Sequence, residues 1–271
     1  MGHHAITPAP PLDLWVDRLW DWDMPPAAHR FERILPAPGT SLIVNLHEDE
    51  TRVYSDDDAR LCVRSAAAVL GGPSLRSQVI DTAEQVRVMG VVFRPGGAYA
   101  LTGEDQSALA GRDIALEDLF GTAARRLRER LLHTAAPRER LAVLEQWLRA
   151  RLRIAAPDAT LAYVAEALER RSQVARIAPL VRETGWSEDR FQRHFRRQFG
   201  MGPKRYARLL RFRAVVEEAH ASPAIEWSRV AADNGYADQA HLTREFREFA
   251  GMTPAAFLAA RGPYANHVPL D

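Results

Sequence analysis

The chain has 271 residues, of which 46% are hydrophobic and 26% charged, and its formal net charge is +1. This is the composition of a globular protein with room for two domains. No apolar run approaches the ~18 residues of a membrane-spanning helix, so we expect no membrane partner. Cys62 is the only cysteine, which excludes an internal disulfide and a multi-cysteine zinc site. With no secretory signal pattern at the start, this favours a cytoplasmic protein.

Most of the predicted strands lie within residues 30–95. Residues 40–46 and 86–93 are short segments rich in β-branched side chains. Turn sequences separate such segments, at residues 36–39, 56–58, 71–73 and 95–97. We therefore expect residues 1–153 to form a small antiparallel β-barrel or sandwich with helices at its end.

The aromatic and polar residues of this half are candidates for an effector site. Trp15, Trp20 and Trp22 either form the floor of a pocket or anchor the N-terminal segment onto the barrel. Arg94, before a Pro-Gly-Gly turn, either holds an anion or simply ends a strand. Candidate effector-binding residues are Trp15, Trp22, Arg33, Asn45, His47 and Arg94. Residues 47–50 (His-Glu-Asp-Glu) are expected to be a solvated loop, because no second histidine lies at ligand spacing, so we predict no metal site.

Two amphipathic helices are predicted next, over residues 123–132 and 137–152. The second has an apolar stripe made by Leu141, Leu144, Trp147 and Leu152. This stripe is either part of the domain core or the contact surface of a dimer.

Residues 154–160 are predicted to be a linker, and 161–262 an all-helical domain that leaves 263–271 as a tail. Helices are predicted at 161–170, 174–183, 188–199, 203–219, 225–233, 239–249 and 254–260. Residues 160–271 contain 17 basic and 13 acidic side chains, a net charge of +4, whereas residues 1–159 contain 19 and 22, a net charge of −3. The positive half is the better candidate for nucleic-acid binding.

The helical half contains an internal duplication. Phe191 and Leu242, and Pro203 and Pro254, are each 51 positions apart. Each copy contains a helix, a turn with a glycine and a second helix with basic residues, which predicts two helix-turn-helix units, at about 174–199 and 225–249. Residues 203–219 form a spacer helix between them, about 25 Å long at ~1.5 Å per residue. Such a spacer suits two helices that enter successive major-groove segments about 34 Å apart.

The second helix of each unit has one apolar face and one polar face. Phe191 with Phe195, and Leu242 with Phe246, are four residues apart and predict the buried faces. Arginine suits guanine, glutamine suits adenine, and alanine or threonine methyl groups suit thymine. The predicted DNA-contacting residues are Asp189, Gln192, Arg193, Arg196, Gln239, Ala240, His241, Thr243, Arg244 and Arg247.

These residues resemble the DNA-binding domain of the AraC/XylS family of bacterial transcription regulators. The matching sequences are Gly185-Trp-Ser…Phe191-Gln-Arg…Phe195-Arg-Arg…Gly200…Pro203…Tyr206 and Asn234-Gly-Tyr-Ala-Asp-Gln-Ala-His-Leu-Thr-Arg-Glu-Phe246…Gly251-Met-Thr-Pro254…Phe257. Gly202 stands where the family usually has a capping serine, and Glu188 and Asp189 make the start of the first recognition helix acidic. The first half is similar to a poorly characterised subset of such regulators, through residues 33–45, 71–73 and 92–97.

The resemblance implies an α+β chain with a cupin-like N-terminal domain and a DNA-binding C-terminal domain. Its implied partners are promoter DNA, RNA polymerase, a small-molecule effector and a second copy bound through the N-terminal domain. It implies no cofactor and no catalytic residues. Two alternatives stay open. One is an effector-independent regulator whose N-terminal domain only dimerises, and the other is a cupin-type enzyme fused to a DNA-binding domain. The enzyme is disfavoured because His47 has no partner ligands and no P-loop or nucleophile elbow is present.

Overall fold

The computed structural model describes residues 2–56, 59–154, 156–170, 177–222 and 224–270. Two antiparallel sheets and a group of short helices form the first half, and the second half is helical, so the predicted α+β class is confirmed. In chain order the strands are β1 (Gly2–Ile6), β2 (Val16–Asp23), β3 (Phe31–Ile34), β4 (Ser41–Asn45), β5 (Glu50–Tyr54), β6 (Cys62–Ala66), β7 (Ala68–Gly71), β8 (Gln78–Asp81), β9 (Arg87–Phe93), β10 (Asp113–Ala115) and β11 (His267–Leu270).

The strands build two sheets. The first has the order β1-β2-β9-β4-β7-β10, and the second β11-β3-β8-β5-β6. The tryptophan-rich N-terminal segment forms strands β1 and β2 at one edge of the first sheet. The segment is anchored there because β2 pairs with β9. The predicted segments 40–46 and 86–93 become the adjacent strands β4 and β9, with Ile43 opposite Gly90.

The helices after residue 121 lie close to the predicted positions, and three short helices before them were not predicted. They are α1 (Gly97–Thr102), α2 (Gln106–Leu109), α3 (Leu116–Phe120), α4 (Thr122–His133), α5 (Pro137–Arg149), α6 (Ala159–Arg170), α7 (Ile177–Glu183), α8 (Glu188–Phe199), α9 (Pro203–Ala221), α10 (Trp227–Asp233), α11 (Gln239–Ala250) and α12 (Pro254–Ala260). Residue 155 of the predicted linker and residues 174–176 of the first predicted unit lie outside the described residues. No helix of the described part of the chain is both long and apolar enough to span a membrane.

The core of the first half lies between one face of the six-stranded sheet and helices α1 to α5. Leu42, Met89 and Val91 of the sheet are buried together with Leu144 and Leu148 of α5. The predicted apolar stripe of α5 is therefore used for packing within the domain. A buried ion pair also ties α5 to the sheet. It joins Arg140 to Asp21 of β2, with Nε–Oδ2 and Nη2–Oδ1 distances of 2.6 and 2.9 Å.

The second core joins the helices α6 to α12 to the first half of the chain. It includes Leu35, which follows β3, and Val268 of β11. Strand β11 pairs antiparallel with β3, with Val268 opposite Arg33. Residues 263–271, expected to be a tail, thus include an edge strand of the N-terminal sheet. Pro269 is compatible with this position, because an edge strand leaves one row of N–H groups unpaired.

Candidate nucleic-acid interface

The two helix-turn-helix units have the same local construction. In each unit a short helix (α7 or α10) is followed by a turn whose glycine, Gly185 or Gly235, has a φ angle of 73° or 72°. A residue with a side chain rarely adopts this left-handed conformation, which explains why glycine occupies both turns. The recognition helices α8 and α11 each have twelve residues.

Side-chain caps set the first residue of each recognition helix. The Ser187 hydroxyl accepts a hydrogen bond from the backbone N–H of Arg190 at 3.4 Å. The Asp238 carboxylate accepts one from the N–H of His241 at 2.6 Å. These bonds satisfy N–H groups that a helix leaves free at its N-terminus, and they fix where the predicted DNA-contacting residues begin.

The buried faces are those that the spacing predicts. Phe191 and Phe195 of α8 are fully buried, and so are Leu242 and Phe246 of α11. The Phe195 ring also stacks on Phe199 with 4.2 Å between centroids. Each recognition helix is therefore held by one apolar side and presents the other side outward.

The predicted DNA-contacting residues lie on these outward sides. Those of α8 that are exposed are Asp189, Arg193 and Arg196, with Gln192 half-buried. Those of α11 that are exposed are Gln239, Ala240, Arg244 and Arg247, with His241 and Thr243 half-buried. The residues of each unit thus share one solvent-facing arc, which is the arrangement that base reading requires.

The second unit is tied to the spacer helix α9 by a charged network that the sequence pattern did not single out. The Glu245 carboxylate of α11 is buried and accepts hydrogen bonds from Arg208 (2.7 Å), Arg211 (3.0 Å) and the Tyr236 hydroxyl (2.9 Å). Burial raises the pKa of Tyr236 well above its usual value, and the neighbouring Glu245 raises it further, so the hydroxyl remains a donor. The spacing of Arg208 and Arg211, three residues apart on one helix face, is the sequence signal for this network.

Two further arginines of α8 lie beside the predicted arc. The Arg190 guanidinium lies 4.2 Å from the ring centroid of Trp186, and that of Arg197 lies 5.6 Å from Tyr99 of α1. The outward side of α8 borders a cleft of about 410 Å³ that continues to Asp105 and Ser107 at the start of α2. Arg193, Arg196 and Arg197 line this cleft together with the acidic residues Asp105 and Asp189.

The structure places the six candidate effector residues in separate environments. Asn45 is buried, and its Oδ1 accepts hydrogen bonds from the N–H groups of His47 and Glu48, both at 2.8 Å. It is therefore a structural residue of the loop after β4, on which His47 is exposed. Arg94 is exposed, and its Nε donates to the backbone oxygen of Asp13 at 2.7 Å.

The other three candidates also differ from one another. Trp15 is buried, whereas Trp22 is half-buried, with its ring 5.6 Å from His3 and 6.4 Å from Tyr264 between centroids. Arg33 is buried where the two halves of the chain meet, and its guanidinium donates a hydrogen bond to the Asp56 carboxylate. Arg33 and Asn45 thus have structural partners in place of an effector.

Within the residues that the structure describes, no group of three or more His, Cys, Asp or Glu side chains is suitably placed to hold a metal ion.

Comparison with protein families identifies the helical half. Residues 180–260 match a family model described as a helix-turn-helix domain. The chain carries an AraC-type DNA-binding domain. It is accordingly a DNA-binding transcription regulator. Residues 4–115 of this regulator match a second model, described as a domain of unknown function (DUF6597). The predicted AraC-type DNA-binding domain is confirmed.

Solved structures of ToxT from Vibrio cholerae match the regulator at low sequence identity. ToxT of strain SCE256 bound to an unsaturated fatty acid is 10% identical, with a TM-score of 0.45 over 89% of this chain and 93% of that chain. ToxT of O395 is 7% identical, with a TM-score of 0.47 over 89% and 95%. ToxT of O395 bound to (E)-4-(8-methylnaphthalen-1-yl)but-3-enoic acid is 8% identical, with a TM-score of 0.48 over 96% and 99%. At these scores the similarity carries no inference about ligands. No curated protein gave a significant match.

Proposed function

We propose that one molecule of this regulator binds a promoter site made of two short boxes, each read by one recognition helix. The observation that carries this proposal is that α8 and α11 are capped helices of equal length whose predicted reading residues face solvent. The spacer helix α9 has 19 residues, which at ~1.5 Å per residue gives about 28 Å. This length suits two successive major-groove segments on one DNA face.

Base reading by Arg244 is the sharpest test of this proposal. Arg244→Ala should weaken binding to the best site by about 5- to 150-fold, which corresponds to the ~1–3 kcal/mol of one bidentate pair, and should relax the preference at one base pair. The matched control is Arg138→Ala, which removes an exposed arginine of α5 in the first half of the chain. Equal weakening on every sequence would contradict base reading.

We propose that an apolar or aromatic effector binds the face of the six-stranded sheet opposite helices α1 to α5. Side chains alternate between the two faces of a sheet, and the helix-facing residues Leu19 and Val91 are fully buried. On the opposite face Trp20, Ile43 and Val92 keep part of their surface exposed. Trp20 also lies beside Gly90, where a larger residue would collide with its indole ring.

Thermal-shift measurements with a panel of aromatic and aliphatic carboxylates and neutral apolar compounds would test the effector site. A stabilising compound should lose its effect in Trp20→Ala and keep it in Trp227→Ala, which changes a tryptophan of the DNA-binding half. Equal stabilisation of both variants would exclude this face. An unchanged melting temperature across the panel would favour the effector-independent alternative.

We further propose a homodimer through the first half, with strand β6 as its contact. Strand β6 is the outermost strand of its sheet, and Val63 on it and Leu61 beside it are 65% and 66% exposed. An exposed edge strand with apolar side chains is a surface that a second chain can cover. Val63→Lys should convert a dimer into a monomer in sedimentation experiments. A wild-type protein that is monomeric at all accessible concentrations would contradict this proposal.

We propose that the DNA-bound regulator activates transcription by recruiting RNA polymerase in the bacterial cytoplasm. Transcription with purified polymerase, with and without the regulator, tests this directly. Repression of a promoter that contains the two boxes would show that the protein acts by occlusion.

A further inference from the structure

Both recognition helices end against the first half of the chain. Helix α8 is followed by Gly200 and α11 by Gly251, which are 51 positions apart and correspond in the duplication. A Cβ atom added at Gly200 would collide with the ring of Pro73, and one added at Gly251 would collide with Arg33. The C-terminal ends of α8 and α11 thus both contact the first half of the chain.

The end of α11 is held by Arg33 of β3. Its Nη1 donates to the carbonyl oxygen of Ala250 at 2.5 Å, while Asp56 pairs with the same guanidinium. The backbone N–H of Ser77 donates to the carbonyl oxygen of Phe249 at 2.9 Å. The last carbonyl groups of a helix have no partner within it, and its C-terminus favours a positive charge. The first half of the chain supplies these donors, one of them from a guanidinium that is paired with Asp56.

The end of α8 is held by packing. Gln198 and Phe199 are buried, and both lie against Gly96 at the start of α1. Beside them the guanidinium of Arg197 lies over the ring of Tyr99. Helix α8 is thereby seated on α1 and α2, just as α11 is seated on β3.

These contacts leave the reading residues free. Arg193 of α8 and Arg244 and Arg247 of α11 stay exposed while both helix ends are docked. The docking contacts are made by the ends of the two helices and leave these arginines exposed, while the predicted reading residues of α8 also line the cleft that continues to Asp105 and Ser107 of α2.

We propose that the first half of the chain is a platform that fixes the spacing and relative orientation of the two recognition helices, and that Arg33 is the positioning residue of the second one. This inference rests on the proposed reading of two boxes. Two binding units held in one geometry act as a single ligand with a high effective concentration only when the boxes match that geometry. The full-length chain should therefore prefer sites in which the two boxes have one particular spacing.

The test compares three DNA probes with the full-length chain. The probes carry both boxes at the selected spacing, both boxes with a half-turn insertion, and the second box alone. Wild-type protein should bind the inserted probe at least about tenfold more weakly than the first probe. In Arg33→Met the logarithm of the affinity ratio between the first two probes should fall by about half or more. Its affinity for the single-box probe should be unchanged. The matched control is Arg52→Met, which removes an arginine of β5 that is ion-paired with Glu48 and Glu50 of the same half, and it should behave as wild type.

A second variant keeps the proposal testable if Arg33→Met fails to fold. Tyr99→Ala removes the ring under Arg197 at the other docked helix and should also reduce the spacing discrimination, with the far-UV circular dichroism unchanged. The proposal is overturned if folded Arg33→Met and Tyr99→Ala keep the wild-type discrimination. It is equally overturned if they bind the two-box probe more tightly than wild type, because the docking would then be inhibitory. If wild-type protein prefers no two-box sequence at all, the proposed function fails together with this inference. The two failures are therefore distinguishable.

Discussion

The buried carboxylate of Glu245 should be the main electrostatic link between the second recognition helix and the spacer helix. Its side chain is 3% exposed and accepts hydrogen bonds from two arginines and one tyrosine hydroxyl. Glu245→Ala removes the acceptor and leaves these donors behind. Arg211 is the donor that suffers most, because its side chain is only 17% exposed.

The size of the effect follows from these partners. Removing one member of a buried charged pair costs about 3–5 kcal/mol of unfolding free energy. Arg208 lowers this figure, because its side chain is 36% exposed and keeps a second acceptor, Glu248, at 2.5 Å. The Tyr236 hydroxyl adds the loss of a buried hydrogen bond, about 1 kcal/mol. We therefore expect Glu245→Ala to lower the free energy of unfolding by about 3 kcal/mol.

Urea unfolding followed by far-UV circular dichroism measures this loss. The midpoint should fall while the slope with urea stays the same, because the surface exposed on unfolding is unchanged. Glu248→Ala is the matched control, since it removes a half-exposed partner of the same arginine and should cost less than about 1 kcal/mol. A loss for Glu245→Ala no larger than that of the control would show that Glu245 does not link the two helices.

Three further predictions concern other parts of the chain. Burial raises the pKa of Glu84 to about 7. The folded state therefore keeps a proton on Glu84 that the unfolded state releases near pH 4.5. The free energy of unfolding should fall as pH rises from about 4.5 to 7. Glu84→Gln should flatten this pH dependence, measured by urea unfolding at several pH values. Asp21→Ala leaves the buried guanidinium of Arg140 unpaired and should cost about 3–5 kcal/mol in thermal or urea unfolding; a loss below about 1 kcal/mol would contradict the burial of the pair. Ser187→Ala removes the cap of α8 and should cost about 1 kcal/mol, whereas Ser187→Asp, which retains a capping oxygen, should restore stability.

The recognition helices could be predicted from sequence because their boundaries are set by local signals. Ser187 and Asp238 cap the N-termini, and glycines follow the last residues of both helices. The duplication provides each of these signals twice. The sequence predicts a helix over 188–199, and the structure has the same bounds. The same pattern predicts which side of each helix is buried, since apolar residues four apart lie on one face.

The contacts between the two halves could not be predicted in this way. Strand β11 pairs with β3 across more than 230 positions, and its four residues His-Val-Pro-Leu contain a proline, which argues against a strand. Alternation along β3 could show only that Arg33 faces one side of the sheet, not that the end of α11 lies there. The role of Asn45 was hidden for a similar reason, because its partners are backbone groups of a loop whose shape the sequence does not specify.

Sequencing of the DNA that the regulator selects tests most directly whether it reads two boxes with two recognition helices. Fragments of genomic DNA retained by the purified full-length protein, when sequenced, should share two short conserved boxes about one helical turn apart, upstream of a small number of transcription units. Arg244→Ala should alter the retained sequence at one position of one box only. Retention of DNA without any shared motif, or with a single box that Arg244→Ala does not change, would contradict the account.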